Sequence, residues 1–113
     1  MSARIADLRV PLVLETPDPV ADGAGGAVPS WRALGTLWGA VEPAGAGEGL
    51  IGTAQLASLS YRVTVRAAPG ADTRPRPGQR FRHGTRLFRI RSVQESDAAG
   101  RFLRCDTEEE ATL

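Results

Sequence analysis

The sequence lacks lysine and contains a single cysteine, a single histidine and few aromatic residues. One cysteine excludes an intrachain disulfide, and nothing in its use indicates an oxidising compartment. A Cys/His zinc site cannot be assembled within one such chain. No apolar run approaches the ~18 residues of a membrane span, and the N-terminus has no apolar core of signal-peptide length. We therefore expect a soluble intracellular protein with no metal, no cofactor and no membrane contact.

Groups that could perform catalysis are equally scarce. His83 lies in the arm of a predicted hairpin, where an exposed or edge position is expected. A Cys105–His83 nucleophilic pair is conceivable, but Cys105 falls on the apolar face of its predicted strand, where a buried and inert thiol is expected. The glycine runs GAGGAV and GAGEGL have neither the dinucleotide-binding spacing nor the Gly-Lys-Ser/Thr of a P-loop. The sequence predicts a protein that is not an enzyme.

Glycine and proline are abundant, with 13 and 8 copies among 113 residues. This composition favours many short elements and turns over a helical bundle. The length corresponds to one domain, residues 1–113, built around one core. The chain is therefore expected to be mainly β.

Alternation of apolar and polar residues predicts six strands, mainly antiparallel, in a small barrel or sandwich. The strands are predicted at residues 7–15, 35–42, 61–66, 80–83, 86–93 and 101–107. Pro11 places the first strand at an edge or a bulge, because proline lacks a backbone donor. The second strand carries Trp38 and Ala40 on one face and Leu37 and Val41 on the other. Apolar residues on both faces predict a central strand.

Three long segments without periodicity separate these strands. Residues 16–30 are predicted to form a mobile loop, and residues 68–79 a second long loop stiffened at its end by two prolines. The third segment follows Pro43 and is rich in glycine, and residues 48–58 fit either a short helix or an extended arm. A shorter Gly84-Thr85 turn joins the predicted hairpin strands, with glycine at a position that can take positive φ.

The 14 basic side chains are all arginine and crowd into the second half of the chain. One interpretation is codon bias in a GC-rich genome. The other is that planar guanidinium groups suit phosphate or the carboxylates of a subunit interface. Residues 106–113, with Asp106 and Glu108 to Glu110, are predicted to be a solvated acidic tail.

The order and spacing of these pieces resemble the head-tail adaptor, or head closure, family of long-tailed phages and gene transfer agents. The resemblance covers about Leu8 to Asp106. It rests on the strand from Trp38 to Pro43, the spacing from Glu48 through Gln55 to Arg62, the strand YRVTVR, Pro69-Gly70 and the hairpin from Gly84 to Ile90.

This resemblance implies a small β-barrel with a long inserted loop that assembles into a ring of six or twelve copies. The ring would lie in the neck of a phage-like particle, between a portal or adaptor ring and a tail terminator ring. It would close the head, surround the passing double-stranded DNA and provide the site where the tail attaches. Assembly in the bacterial cytoplasm is implied as well.

The resemblance also assigns roles to the loop and to part of the arginines. Ordering residues 43–58 costs roughly 1–2 kcal/mol per residue, which a ring subunit recovers by burial against its neighbours. The loop is therefore expected to be the assembly element. Its predicted interface residues are Glu48, Leu50, Ile51, Gln55 and Leu56.

Six arginines are expected to face partners. Carboxylates of neighbouring ring proteins are the expected contacts of Arg62, Arg66, Arg89 and Arg91. Arg74 and Arg76, on the stiff loop, are expected to face a partner or, less favourably, the DNA of the channel.

Two other interpretations stay open. A tail terminator ring is one, because small β-barrels serve in several rings of a phage neck. A free-standing basic β-barrel that binds nucleic acid is the other, with aromatic residues as stacking platforms. The candidate platforms are Tyr61, Phe81, Phe88 and Phe102. Their alternation with arginine predicts that most of them point into the core.

Overall fold

The computed structural model describes residues 8–44, 59–67 and 73–110. Within these residues the chain forms eight strands and no helix. The strands are β1 (Val10–Pro17), β2 (Val20–Ala21), β3 (Ala27–Val28), β4 (Trp31–Pro43), β5 (Ser60–Arg66), β6 (Arg80–His83), β7 (Arg86–Glu95) and β8 (Phe102–Glu110). Six of them close into an antiparallel barrel in the order β1-β4-β5-β8-β7-β6. The predicted antiparallel barrel of about six strands is confirmed.

The barrel interior is filled by the inward-facing residues of its six strands. Because the sheet closes on itself, one apolar face per strand is enough to build a single core. The fully or nearly fully buried side chains are Leu12, Leu14, Leu37, Val63, Val65, Phe81, Phe88, Ile90, Leu103 and Cys105. The inward positions predicted for Leu103 and Cys105 are confirmed, and burial of Phe81 and Phe88 removes two of the candidate stacking platforms.

β1 pairs with β4 along its whole length and with β6 over three residues only. β4 begins at Trp31, earlier than predicted, because the end of β1 continues to pair with it, with Glu15 opposite Ala33 and Pro17 opposite Trp31. A register shift between Leu14 and Glu15 marks a bulge in this pair. On its other side β1 pairs with β6 only over residues 13–15, so the strand has no β6 partner at Pro11. The closed barrel has no edge strand, so the predicted edge exists only locally, at Pro11, where the strand is paired on one side.

β4 lies between β1 and β5, as predicted for a central strand, but its outward face is exposed. Leu37 and Gly39 point inward, whereas Trp38 is 58% exposed. A methyl group on Gly39 would lie 2.7 Å from Leu12 Cδ1 and 3.1 Å from the carbonyl oxygen of Thr64. The side chain of Leu12 therefore fills the space beside Gly39 inside the barrel, and Trp38, the next residue along, faces outward.

Residues 16–30 contain more regular structure than the predicted loop. β2 and β3 form a short antiparallel hairpin, with Val20 opposite Val28. Asp22 Oδ1 closes the turn by accepting hydrogen bonds from the N–H of Ala24 at 2.8 Å and of Gly26 at 3.0 Å. These bonds lower the pKa of Asp22. The prediction missed these strands because two-residue strands are too short to show a period.

The remaining hairpins agree with the sequence. β6 and β7 pair from Arg80 opposite Arg89 to His83 opposite Arg86, and the turn residue Gly84 has φ +61°. Positive φ at only the first central residue is the pattern of a type II′ turn. In the next reversal, Asp97 Oδ1 accepts a hydrogen bond from the N–H of Arg101 at 2.8 Å.

The predicted acidic tail is wrong for residues 106–110. These residues belong to β8, where Glu108 lies opposite Ser60 of β5 and Arg89 of β7. Arginines of β7 compensate the run of like charges, and this compensation cannot be read from the run itself. Residues 111–113 lie outside the described part of the chain.

Candidate functional site

The predicted assembly loop leaves the barrel at one defined end. The N–H of Ala44 donates to the carbonyl oxygen of Ser60 at 3.1 Å, and the N–H of Glu109 donates to that of Leu59 at 2.7 Å. The departing and returning chains are thus fastened to each other and to the end of β8. The predicted interface residues Glu48, Leu50, Ile51, Gln55 and Leu56 lie outside the described residues, and their role stays a prediction.

Two arginines of β6 surround one buried carboxylate on the outside of the barrel. Glu15 is 7% exposed and accepts hydrogen bonds from Arg80 Nε at 2.7 Å and Arg82 Nε at 2.9 Å. Burial would raise the pKa of Glu15, but the bonds from Arg82 and Arg80 outweigh this effect, and the pKa is lowered. The guanidinium of Arg80 also lies 4.0 Å from the ring centre of Trp31. Trp31 and the cluster around Glu15 thus make contacts that stabilise the barrel.

A second cluster covers the barrel end near the loop. Arg86 donates two hydrogen bonds to Glu109, at 2.8 and 3.1 Å. Its guanidinium lies 4.8 Å from the ring centre of Phe88 and 5.2 Å from that of Tyr61. The bonds from Arg86 lower the pKa of Glu109. Stacking and ion pairing together close this end of the core.

Arg89 and Arg91 of β7, which were expected to meet partner carboxylates, are instead paired within the chain. Arg89 pairs with Glu110 at 3.4 Å, and Arg91 pairs with Glu108 at 2.9 Å. Both pairs line an open groove of about 510 Å³ between β7 and β8. Because carboxylates offset the guanidinium groups, this groove does not present a basic surface to a phosphate backbone.

The four other arginines predicted to face partners form a different set. Within the described parts of the chain, Arg62, Arg66, Arg74 and Arg76 make no ion pair, in contrast to the arginines of β6 and β7. Arg62 lies between Glu42 and Asp106 in the register, but its Nε is buried without a hydrogen-bond partner. Arg66 and Arg76 are exposed, and Arg74 is half-buried. Their contact with partners stays a prediction.

Trp38 lies on the face opposite Leu37, as predicted, and this face is the exposed one. It lies opposite Pro11 of β1, which is also exposed. The pairing of Gly39 with Val65 puts Arg66 at the next position on β5, and Arg66 lies opposite the half-buried Phe102 of β8. We call this line of four outward residues the Trp38 row. The inward glycine beside Trp38 was the available hint, because it leaves the tryptophan outside.

The single cysteine and histidine do not form a catalytic pair among the strands. Cys105 is fully buried on β8, and burial, followed by the charge of Asp106, raises its pKa to about 12. His83 belongs to β6, which is separated from β8 by β7, and its Nδ1 lies 3.0 Å from the carbonyl oxygen of Pro11. Residues 8–44, 59–67 and 73–110 contain no cluster of His, Cys, Asp or Glu suited to a metal ion. No helix in these ranges is long and apolar enough to cross a membrane.

Comparison with known proteins gives one family and several similar solved structures. The model of the phage head completion protein family matches residues 3–110. One similar structure is a chain from the virion of a native gene transfer agent particle, with 43% sequence identity and a TM-score of 0.69. That match covers 93% of this chain and 97% of the other. Another is protein SF1141 from Shigella flexneri 2a, with 23% identity, a TM-score of 0.69 and coverage of 98% and 100%, which supports the fold alone. A search of curated protein sequences found no match.

Proposed function

Because the chain belongs to the phage head completion protein family, we propose that it is a ring-forming connector subunit in the neck of a phage-like particle. Its role is structural, in completing the head and connecting it to the tail. The observation that carries the proposal is the 43% identity, over nearly the whole of both chains, to a component of a gene transfer agent virion.

The position of the loop supports a ring of identical subunits. The flanking residues Ala44 and Ser60 are hydrogen-bonded to each other at one end of the barrel, so each subunit would present residues 45–58 from that single end. In a head-to-tail ring every subunit gives one surface and receives another, and one projection per copy is enough for closure. Leu50, Ile51 and Leu56 would each contribute about 1.5–3 kcal/mol if fully buried against the next copy. Glu48 and Gln55 would supply polar contacts.

The ring would comprise six or twelve copies between a portal or adaptor ring and a tail terminator ring, with DNA passing through it. Arg62, Arg66, Arg74 and Arg76 lack intrachain ion pairs among the described residues and are available for carboxylates of these partners. Strong contact with DNA would oppose sliding through the channel, so partner proteins are the favoured contact. Assembly would take place in the bacterial cytoplasm, before the tail joins.

Native mass spectrometry of the chain with its portal complex tests this proposal. We expect a discrete complex that adds six or twelve copies of the chain to the portal. A chain that never joins the portal complex would refute the connector role. A chain that joins purified tails but not the portal would identify a tail terminator ring instead.

Nucleic-acid binding is the alternative that the unpaired arginines favour. Binding of this kind would weaken steeply with added salt, because phosphate contacts release counterions. Filter binding of double-stranded and single-stranded DNA at low and high salt tests it. Retention at low salt that is lost in Arg66→Ala and Arg76→Ala would support this alternative, and absence of retention at low salt would remove it.

A further inference from the structure

Of the two tryptophans of this chain, Trp31 packs against arginine side chains and Trp38 is exposed. Trp31 is half-buried and lies against the guanidinium groups of Arg80 and Arg89. Trp38 is 58% exposed, and its outward position keeps it out of the core cluster. Isolated exposed apolar residues are normal on protein surfaces, but a contiguous apolar patch is typical of an interaction site. The residues around Trp38 therefore decide whether its exposure indicates an interaction site.

Those surroundings are continuous across four strands. Pro11, Trp38, Arg66 and Phe102 lie side by side on β1, β4, β5 and β8, and all four point away from the core. Tryptophan and arginine are the residues most enriched among the energetic centres of protein interfaces. Arg66 has no ion pair within the described residues, so the Trp38 row combines an apolar surface with an uncompensated positive charge.

The loop of residues 45–58 has the complementary chemistry. It contains three large aliphatic residues, Leu50, Ile51 and Leu56, and its only charged residue is Glu48. Building on the ring proposed above, we propose that the Trp38 row of each subunit receives residues 45–58 of the neighbouring copy. The aliphatic side chains would cover Trp38 and Pro11, and Glu48 would pair with Arg66.

Chain length favours a neighbour's loop over the subunit's own. Ala44, the last residue before the loop, is six positions beyond Trp38, which is about 20 Å along an extended strand. A loop of 14 residues that is fastened at both ends reaches about 23 Å at full stretch, because only half its length can point one way. Only the middle of the subunit's own loop could therefore reach Trp38, and Leu56 could not. A neighbouring copy can bring the whole segment alongside the row.

Photocrosslinking tests this inference in particles that carry the chain. Trp38→p-benzoylphenylalanine keeps an aromatic side chain and forms a covalent bond to whatever lies against it. We expect a product of twice the 12.0 kDa chain mass, whose joined peptide contains residues 45–58 of a second copy. A crosslink within one chain, to another surface or to another protein would overturn the inference, and so would the absence of any product.

Val28→p-benzoylphenylalanine is the matched control. Val28 is 53% exposed, close to the exposure of Trp38, but it lies on the β2–β3 hairpin outside the row. We expect no crosslink from this position to residues 45–58. If both positions give the same crosslink, the loop contacts exposed apolar groups without preference, and the assignment of the row is wrong.

Alanine variants separate this inference from the connector role itself. Trp38→Ala is expected to weaken ring assembly at least about tenfold without moving the urea midpoint, whereas Trp38→Phe and Val28→Ala assemble normally. Normal assembly of Trp38→Ala would overturn the acceptor role of the row and leave the ring proposal standing. Absence of the native chain from the neck would refute the ring proposal, and this inference with it.

Discussion

Replacing Glu15 with glutamine is expected to lower the free energy of unfolding by about 2–4 kcal/mol. Glu15 lies on the outside of the barrel between Arg80 of β6 and Arg82 two residues further along. Glutamine has nearly the same shape but carries no charge, and its amide N–H₂ would face one of the guanidinium groups. One hydrogen bond is then lost, the other loses its charged acceptor, and two positive charges remain without a carboxylate.

The magnitude follows from the exposure of the two arginines. The side chain of Arg80 is largely buried, so its bond to a charged acceptor contributes about 1.5–3 kcal/mol. The side chain of Arg82 is 42% exposed, and solvent screening reduces its contribution to about 0.5–1 kcal/mol. At about 4 °C per kcal/mol for a domain of this size, we expect the melting temperature to fall by about 8–16 °C.

Urea unfolding of the full chain measures this effect. The midpoint is expected to fall with the slope unchanged, because the folded and unfolded surfaces stay the same. Glu110→Gln is the matched control, since it removes the same charge from the more exposed pair with Arg89 and should cost less than about 0.5 kcal/mol. Equal losses in the two variants would refute the claim that burial makes the Glu15 cluster stabilising.

Three further predictions concern the core and its titratable groups. Gly39→Ala is expected to cost about 1–3 kcal/mol, because the added methyl group would lie 2.7 Å from Leu12 Cδ1; an unchanged urea midpoint would contradict this packing. Stability is expected to fall as the pH drops through about 4.5, the ordinary glutamate pKa, because the lowered pKa values of Glu15 and Glu109 make protonation favour the unfolded chain. Thermal melts between about pH 7 and pH 3 measure this, and a flat profile would disprove it. The Cys105 thiol, with its pKa of about 12, is expected to resist a thiol reagent at about pH 8 until the chain is unfolded in urea; rapid labelling of the folded chain would show that the site is open.

Most of the barrel could be predicted because its strands alternate clearly. In β6 and β7 a single glycine turn separates two alternating segments, and in β8 Leu103 and Cys105 mark the inward face. β4 was harder, because apolar side chains occupy both of its faces. The inward face is identified by Gly39, a residue without a side chain, and its packing against Leu12 comes from a distant part of the sequence.

For the same reason, only part of the candidate site could be predicted from the sequence. The acidic run at Glu108 to Glu110 suggested a solvated tail, because its partners Arg86, Arg89 and Arg91 lie on another strand. Sequence could identify a cluster of arginines but not which of them are ion-paired. Pairing depends on which strands are neighbours and in which register: β7 runs beside the acidic end of β8, whereas Arg66 of β5 lies opposite Phe102.

A cryo-electron microscopy reconstruction of the particle neck tests the central claim most directly. The account predicts a ring of this chain at the joint between head and tail, in which Leu50, Ile51 and Leu56 of each copy lie buried against the next subunit. A neck in which these three side chains pack into the barrel of their own subunit, or from which the chain is absent, would contradict it.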